Sequence, residues 1–156
     1  MLTNPTQPIL CFGEVLWDIF PDSEKIGGAP LNVAYHLQRI GLSATLVSRV
    51  GKDRHGSGIL DFLKEAGLSG AHIQQDEAHE TGKVIADVSD IHNVRYRFID
   101  EAAWDFIATE GSLRELASTG ALLVYGSLVC RKPVSRQTLF TLLAYPFTKI
   151  LALNLR

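Results

Sequence analysis

The sequence predicts an α/β protein: a parallel sheet covered on both faces by helices, with a small antiparallel sheet set beside it. Three observations carry this. Apolar, β-branched runs alternate with segments of helical spacing near both ends of the chain, as parallel βα units do. Two runs in the middle alternate in a period of two around a polar turn. A composition of 46% hydrophobic and 21% charged residues over 156 positions is that of a folded globular chain and far from that of a disordered one.

After a polar arm, residues 9–20 (ILCFGEVLWDIF) form an apolar run interrupted by Gly13, Glu14 and Asp18, which reads as a buried strand continuing into a second, exposed one. Pro30 suits a first helical position, and LNVAYHLQRIG follows with Leu31, Ala34, Tyr35 and Leu37 on one face before Gly41 ends the helix. Residues 44–50 (ATLVSRV) read as a strand. HGSGILDFLKEAG restores helical spacing through Ile59, Leu60, Leu63 and Ala66. Residues 83–88 and 94–99 read as a hairpin around Asp90–Asn93, with Val94, Tyr96 and Phe98 pointing one way and Arg95, Arg97 and Ile99 the other. A helix near 111–119, a strand at 121–128, a helix near 134–144 and a strand at 149–155 complete the pattern. No internal repeat or linker divides the chain.

Fifteen Lys and Arg against seventeen Asp and Glu give a formal charge of −2, so no strongly basic field is available to hold a nucleic-acid backbone. The opening MLTNPTQPILCF lacks the basic and long apolar regions of a signal peptide, and no apolar run reaches eighteen residues. A cytoplasmic location without membrane contact is the expectation. Cys11 and Cys130 lie in apolar runs that read as strands and are expected to be reduced. The five histidines are scattered without ligand spacing, and Asp87, Asp90 and His92 gather at a turn where solvated polar residues are ordinary, so no metal site is expected.

The most informative stretch is GGAPLNVAYHLQRIG followed by LSATLVSRVG, which sets Gly27, Gly28, Pro30, Asn32, Ala34, Gly41 and Gly51 in one ordered spacing. Physically it is a glycine loop opening onto a helix. Glycines let the backbone approach a ligand, the helix start offers unpaired N–H groups, and Asn32 has donors and an acceptor for neutral hydroxyls. A Gly-Gly pair before a helix is by itself only a turn.

The spacing resembles the first signature of PfkB-type, ribokinase-like carbohydrate kinases, and a later stretch, RYRFIDEAAWDF, is most similar to their fructokinase branch. CFGEVLWDIFP is similar to the family's opening strand, VGKDRHGSGILDFLKEAGL to its next strand and helix, Thr81-Gly82 to the start of its lid, and RYRFIDEAAWDF to the lid's return. VYGSL and LALNLR resemble two further core strands. The resemblance implies a ribokinase-like fold with lid segments near 14–26 and 82–100, and ATP-dependent phosphorylation of a small sugar such as fructose or a related ketose. It implies that Asp18 and Asn32 hold sugar hydroxyls, with Gly27 and Gly28 at the backbone, Phe98 laid over the sugar, and Arg156 as a phosphate or substrate contact. Asp18 has its own reason to be noticed: a carboxylate inside an apolar strand needs partners, and a sugar diol or the turn at Pro21-Asp22 could supply them. Glu14 would share its face if the strand ran unbroken past Gly13.

Phosphoryl transfer needs a base for the attacking hydroxyl, donors for the developing charge and usually Mg²⁺ on the nucleotide. The resemblance assigns these to a Gly-Ala-Gly-Asp loop that this sequence does not contain, nor does it contain a P-loop. Ala152 stands where the family usually has Asp in Asp-x-Asn-x-Arg. The expectation is therefore the sugar-binding half of a kinase, with the ATP and Mg²⁺ site and the catalytic residues outside these 156 residues. An apolar sheet edge would make it a homo-oligomer or a piece of a longer kinase. The alternative is a non-catalytic sugar-binding or assembly module that keeps the kinase's N-terminal fold.

Overall fold

A computed structural model describes residues 7–87 and 95–154. The first strand, β1 (Ile9–Phe12), is buried at every position. It pairs in parallel with β4 (Ala44–Gly51) on one side and β8 (Leu122–Gly126) on the other. Beyond β4 lies β5 (Ile73–Asp76), and beyond β8 lies β9 (Lys149–Leu153), giving a five-stranded parallel sheet in the order β5-β4-β1-β8-β9.

Alternate side chains of these strands feed two separate cores. Ile9, Cys11 and Leu46 pack with Leu31 and Ala34 of α1 (Ala29–Arg39) and with Ile59 and Leu63 of α2 (Arg54–Glu65). Leu10, Phe12 and Val47 pack on the opposite face with Leu113 and Ala117 of α3 (Gly111–Thr119) and Leu139 and Leu142 of α4 (Pro133–Leu143). Each fully buried Leu, Ile, Val or Phe among these stabilises the fold by about 1.5–3 kcal/mol. With α1 and α2 on one face and α3 and α4 on the other, the direction of winding reverses between β1 and β8. That reversal opens a crevice at the carboxyl ends of the two strands, where doubly wound sheets bind ligands.

A second sheet stands at this end, in the order β3-β2-β6-β7, from β2 (Leu16–Phe20), β3 (Ser23–Gly27), β6 (Gly82–Asp87) and β7 (Arg95–Phe98). Its two outer pairings are antiparallel, as expected. Its central pairing, β2 with β6, is parallel. Both strands lead out of the carboxyl end of the parallel sheet, β2 after β1 and β6 after β5, so they run the same way. The expected turn at Asp90–Asn93, and Val94 with it, lies outside the described residues.

Other boundaries also differ from the sequence reading. The strand expected at 121–128 stops at Gly126, and Ser127–Cys130 form a 3-10 turn, so Cys130 is not in a strand. Both cysteines are free. Burial in apolar surroundings pushes the Cys11 thiol up to about 12, which leaves it an inert core residue. No helix among the described residues is long and apolar enough to cross a membrane.

The edge strand β9 leaves Ile150 and Leu151 43% and 50% exposed, and these neighbours point to opposite faces. Phe140 on α4 is exposed as well. An apolar parallel edge of this kind templates association. Leu151→Lys is expected to weaken any association through this edge by at least about tenfold in sedimentation experiments while changing stability by no more than about 0.5 kcal/mol. A wild-type chain that sediments as a monomer, or association that the substitution leaves unchanged, would remove this edge as a contact between copies.

Candidate functional site

A cavity of about 350 Å³ lies between the small sheet and the start of α1. It is lined by Leu16, Asp18 and Val84 of the small sheet, Tyr96 and Phe98 of β7, Gly28, Ala29 and Asn32 at the start of α1, and Leu128 of the 3-10 turn. Four of the expected residues, Asp18, Gly28, Asn32 and Phe98, thus meet around one space. Gly27 is not among the lining residues, but its backbone lies against the Asp18 carboxylate. Arg156 lies outside the described residues.

Local structure explains why each is there. Opposed residues of a ladder share a face, and Asp18 is paired with Lys25 on one side and Val84 on the other, while Val84 is paired with Phe98. Asp18, Val84 and Phe98 therefore point together. The carboxylate of Asp18 lies against Gly27: a Cβ built there would come 2.6 Å from Oδ2, so glycine leaves it room. This places it away from the turn at Pro21-Asp22. Burial raises the Asp18 pKa above the ordinary carboxylate value.

Gly28 begins α1 with φ of 116°, a left-handed conformation that other residues rarely adopt, and no side chain caps the helix there. Its carbonyl receives the first helical bond, from Asn32 N–H, at 2.9 Å. Asn32 thus stands one turn into α1, beside the free N–H groups of the helix start.

Glu14 does not share the face of Asp18. The chain breaks its strand at Gly13, whose carbonyl accepts a 2.6 Å bond from the buried Ser48 hydroxyl and whose φ is 140°. Glu14 turns instead into the crevice between β1 and β8. Its carboxylate is fully buried against Gly126, and neither oxygen has a hydrogen-bond partner among the described residues. Burial lifts its pKa to about 7, against the opposing pull of the N–H groups of Glu14 and Ala29 and of the Arg131 guanidinium.

A second hub sits at the root of the lid. Asp53 accepts bonds from Gly56 N–H, Thr81 N–H and the Thr81 hydroxyl at 2.8 Å each, and that hydroxyl accepts from Gly51 N–H at 2.9 Å. One carboxylate caps α2 and pins the residue before β6. Burial works against its ionised form, but these bonds outweigh it and hold the Asp53 pKa below its ordinary value. The spacing of Asp53 to Gly56, an N-cap followed by the amide it serves, is the signal that could have revealed it. Tyr96, Leu128 and Ala29, by contrast, carry no such signal. Among the described residues no group of three or more His, Cys, Asp or Glu stands close enough to hold a metal ion.

A doubly wound α/β domain whose switch-point crevice is roofed by a small strand lid is the class that this geometry defines. The model of the pfkB family of carbohydrate kinases matches residues 5–146, and the chain belongs to that family. It is 29% identical over 133 residues to a fructokinase of Salmonella typhimurium, an alignment covering 82% of this chain and 43% of the relative. Among solved structures, a fructokinase of Xylella fastidiosa with bound ATP superposes with a TM-score of 0.83 at 23% identity, over 96% of this chain and 49% of the other. A double mutant of the Vibrio cholerae fructokinase, bound to fructose, ADP and potassium ion, superposes at 0.74 and 22% identity, over 91% and 47%. The chain spans about half the length of these relatives.

Proposed function

We propose that this chain supplies the sugar-binding half of an ATP-dependent, fructokinase-like kinase that phosphorylates a hydroxyl of fructose or a related small ketose. The observation that carries this reading is the meeting of Asp18, Asn32 and the Gly28–Ala29 backbone around one cavity beneath Phe98 and Tyr96. In this reading the Asp18 carboxylate accepts hydrogen bonds from two neighbouring hydroxyls, and the Asn32 amide both donates and accepts. The aromatic rings exclude water from the apolar face of the sugar. The names of the relatives supply fructose as the first candidate. ATP with Mg²⁺ is the phosphoryl donor, and none of the described residues is assigned to hold it or to act as the catalytic base. A cytoplasmic location and assembly into a homo-oligomer belong to the same proposal.

Titration calorimetry of the 156-residue chain with a panel of ketoses and aldoses tests it. Binding of fructose or a close relative is expected, without turnover when ATP is added. Asp18→Ala is expected to weaken that binding by about 10–100-fold, the loss of hydrogen bonds to a charged acceptor. Affinity should also fall as the pH drops through the raised Asp18 pKa, because the protonated carboxyl loses acceptor capacity. Binding of no sugar, or an undiminished affinity in Asp18→Ala, would remove this assignment.

A further inference from the structure

Two walls of the cavity come from distant parts of the chain. Phe98 belongs to lid strand β7, and Leu128 to the 3-10 turn that follows core strand β8. Arg131, which lines neither wall, is bonded to both. Its backbone N–H closes the turn by donating to the Leu128 carbonyl at 3.0 Å. Its Nη2 donates at 2.9 Å to the carbonyl of Ile99, the residue after Phe98.

Further contacts hold the guanidinium in place. Asp105, fully buried, accepts from Nε at 2.7 Å and from Nη2 at 2.6 Å, and its Oδ2 also accepts from Ala102 N–H at 3.0 Å. The face of Trp104 lies 4.1 Å from the guanidinium carbon. The indole edge of Trp104 in turn fills the space beside Gly82, the first residue of β6, where a Cβ would come 2.5 Å from Nε1. Ile99 is fixed from its other side as well, donating its N–H to Lys83 of β6 at 3.1 Å. One planar cation therefore joins the exit of the lid, the root of β6 and the core turn.

We infer that Arg131 is a positioning residue of the cavity: by holding the Ile99 carbonyl it sets Phe98 against the wall formed by Leu128, without touching the ligand. The Asp105 and Trp104 side chains orient the guanidinium, and only a fork of donors can serve Asp105 and Ile99 at once. The consequence for sugar affinity rests on the function proposed above. The consequence for the lid does not.

Hydrogen exchange and fructose calorimetry on the full 156-residue chain test the two together, with Arg131→Lys and Arg131→Gln. Lysine keeps the charge beside Asp105 but cannot span both acceptors, and glutamine keeps the polar stem without the charge. The amides of Arg97 and Ile99, which face β6, are expected to exchange at least about tenfold faster in both variants while those of α1 and α2 keep their rates. Fructose affinity is expected to fall by about tenfold. Wild-type exchange at Arg97 and Ile99 would overturn the inference, and so would equal acceleration in α1 and α2, which marks a purely global loss of stability. Selective loosening of the lid with undiminished fructose affinity would overturn the link to Phe98. If the wild-type chain binds no sugar, the proposed function fails while the exchange rates still decide whether Arg131 holds the lid.

Discussion

Glu14→Gln is expected to gain stability over the wild-type chain as the pH rises, by about 3 kcal/mol between pH 4 and pH 8. The Glu14 pKa rises from an ordinary 4.5 to about 7 on folding because burial penalises the charged form. Between those two values the folded state holds a proton that the unfolded state has released. Raising the pH therefore favours unfolding across that window, and above about 7 the buried carboxylate is ionised at full cost. Glutamine has nearly the same shape and cannot ionise. Urea unfolding of both chains at pH 4, 6 and 8 isolates the effect, since every other titrating group is common to the two. Curves that stay parallel would mean that Glu14 finds partners for its charge. The N–H groups of Glu14 itself and of Ala29, and the Arg131 guanidinium, already pull toward the ionised form, and Asp105 takes up most of that guanidinium.

Elements with an apolar or alternating pattern were legible in the sequence, the mostly exposed β7 and β9 among them. By contrast β3 and β5, held by polar contacts, were not read as strands of their own. Strands β1, β4 and β8 and helices α1, α2 and α4 could be read from apolar spacing because that face is what stabilises them. Strand β3 (SEKIG) has exposed, charged positions and exists through its ladder with β2 and through Glu24, which accepts from Arg54 and faces His55. Strand β5 (IQQD) is similar: Gln74 exchanges two 2.8 Å bonds with the backbone of Ala108, and Asp76 accepts from Arg49. No local pattern announces partners some thirty residues away.

The cavity divides in the same way. Gly28 and Asn32 were legible because they sit in a short motif whose spacing a loop and a helix impose, and Asp18 because a carboxylate interrupts an apolar run that resembles the family's opening strand. Phe98 was legible through the resemblance, which also named the strand it stands on. Leu128 was lost because the sequence continues the apolar run of β8 straight through it, while the structure ends that strand at Gly126. The clamp of Arg131 on Asp105 joins residues 26 apart, each of which alone reads as an ordinary surface charge. The buried state of Glu14 follows from the crevice between β1 and β8, which no window of sequence contains.

Gly28→Ala is expected to cost at least about 3 kcal/mol and to abolish detectable sugar binding, while Gly41→Ala, also at positive φ but facing open space, costs about 1 kcal/mol and leaves binding intact. Two effects add at Gly28. Its φ of 116° is strained for any residue with a Cβ, and the added methyl would meet the carbonyl oxygen of Glu14 and lie 3.1 Å from the Cα of Val15. Both obstacles are backbone, so neither can swing aside as a flexible side chain would. Relief requires the start of α1 to move away from the β1–β2 connection, carrying Asn32 with it, since Asn32 N–H is bonded to the Gly28 carbonyl. Thermal unfolding of the two variants should differ by several degrees. Calorimetry with fructose should then show loss only in Gly28→Ala. An alanine at 28 that binds sugar as well as the wild-type chain would mean that the glycine loop serves packing alone.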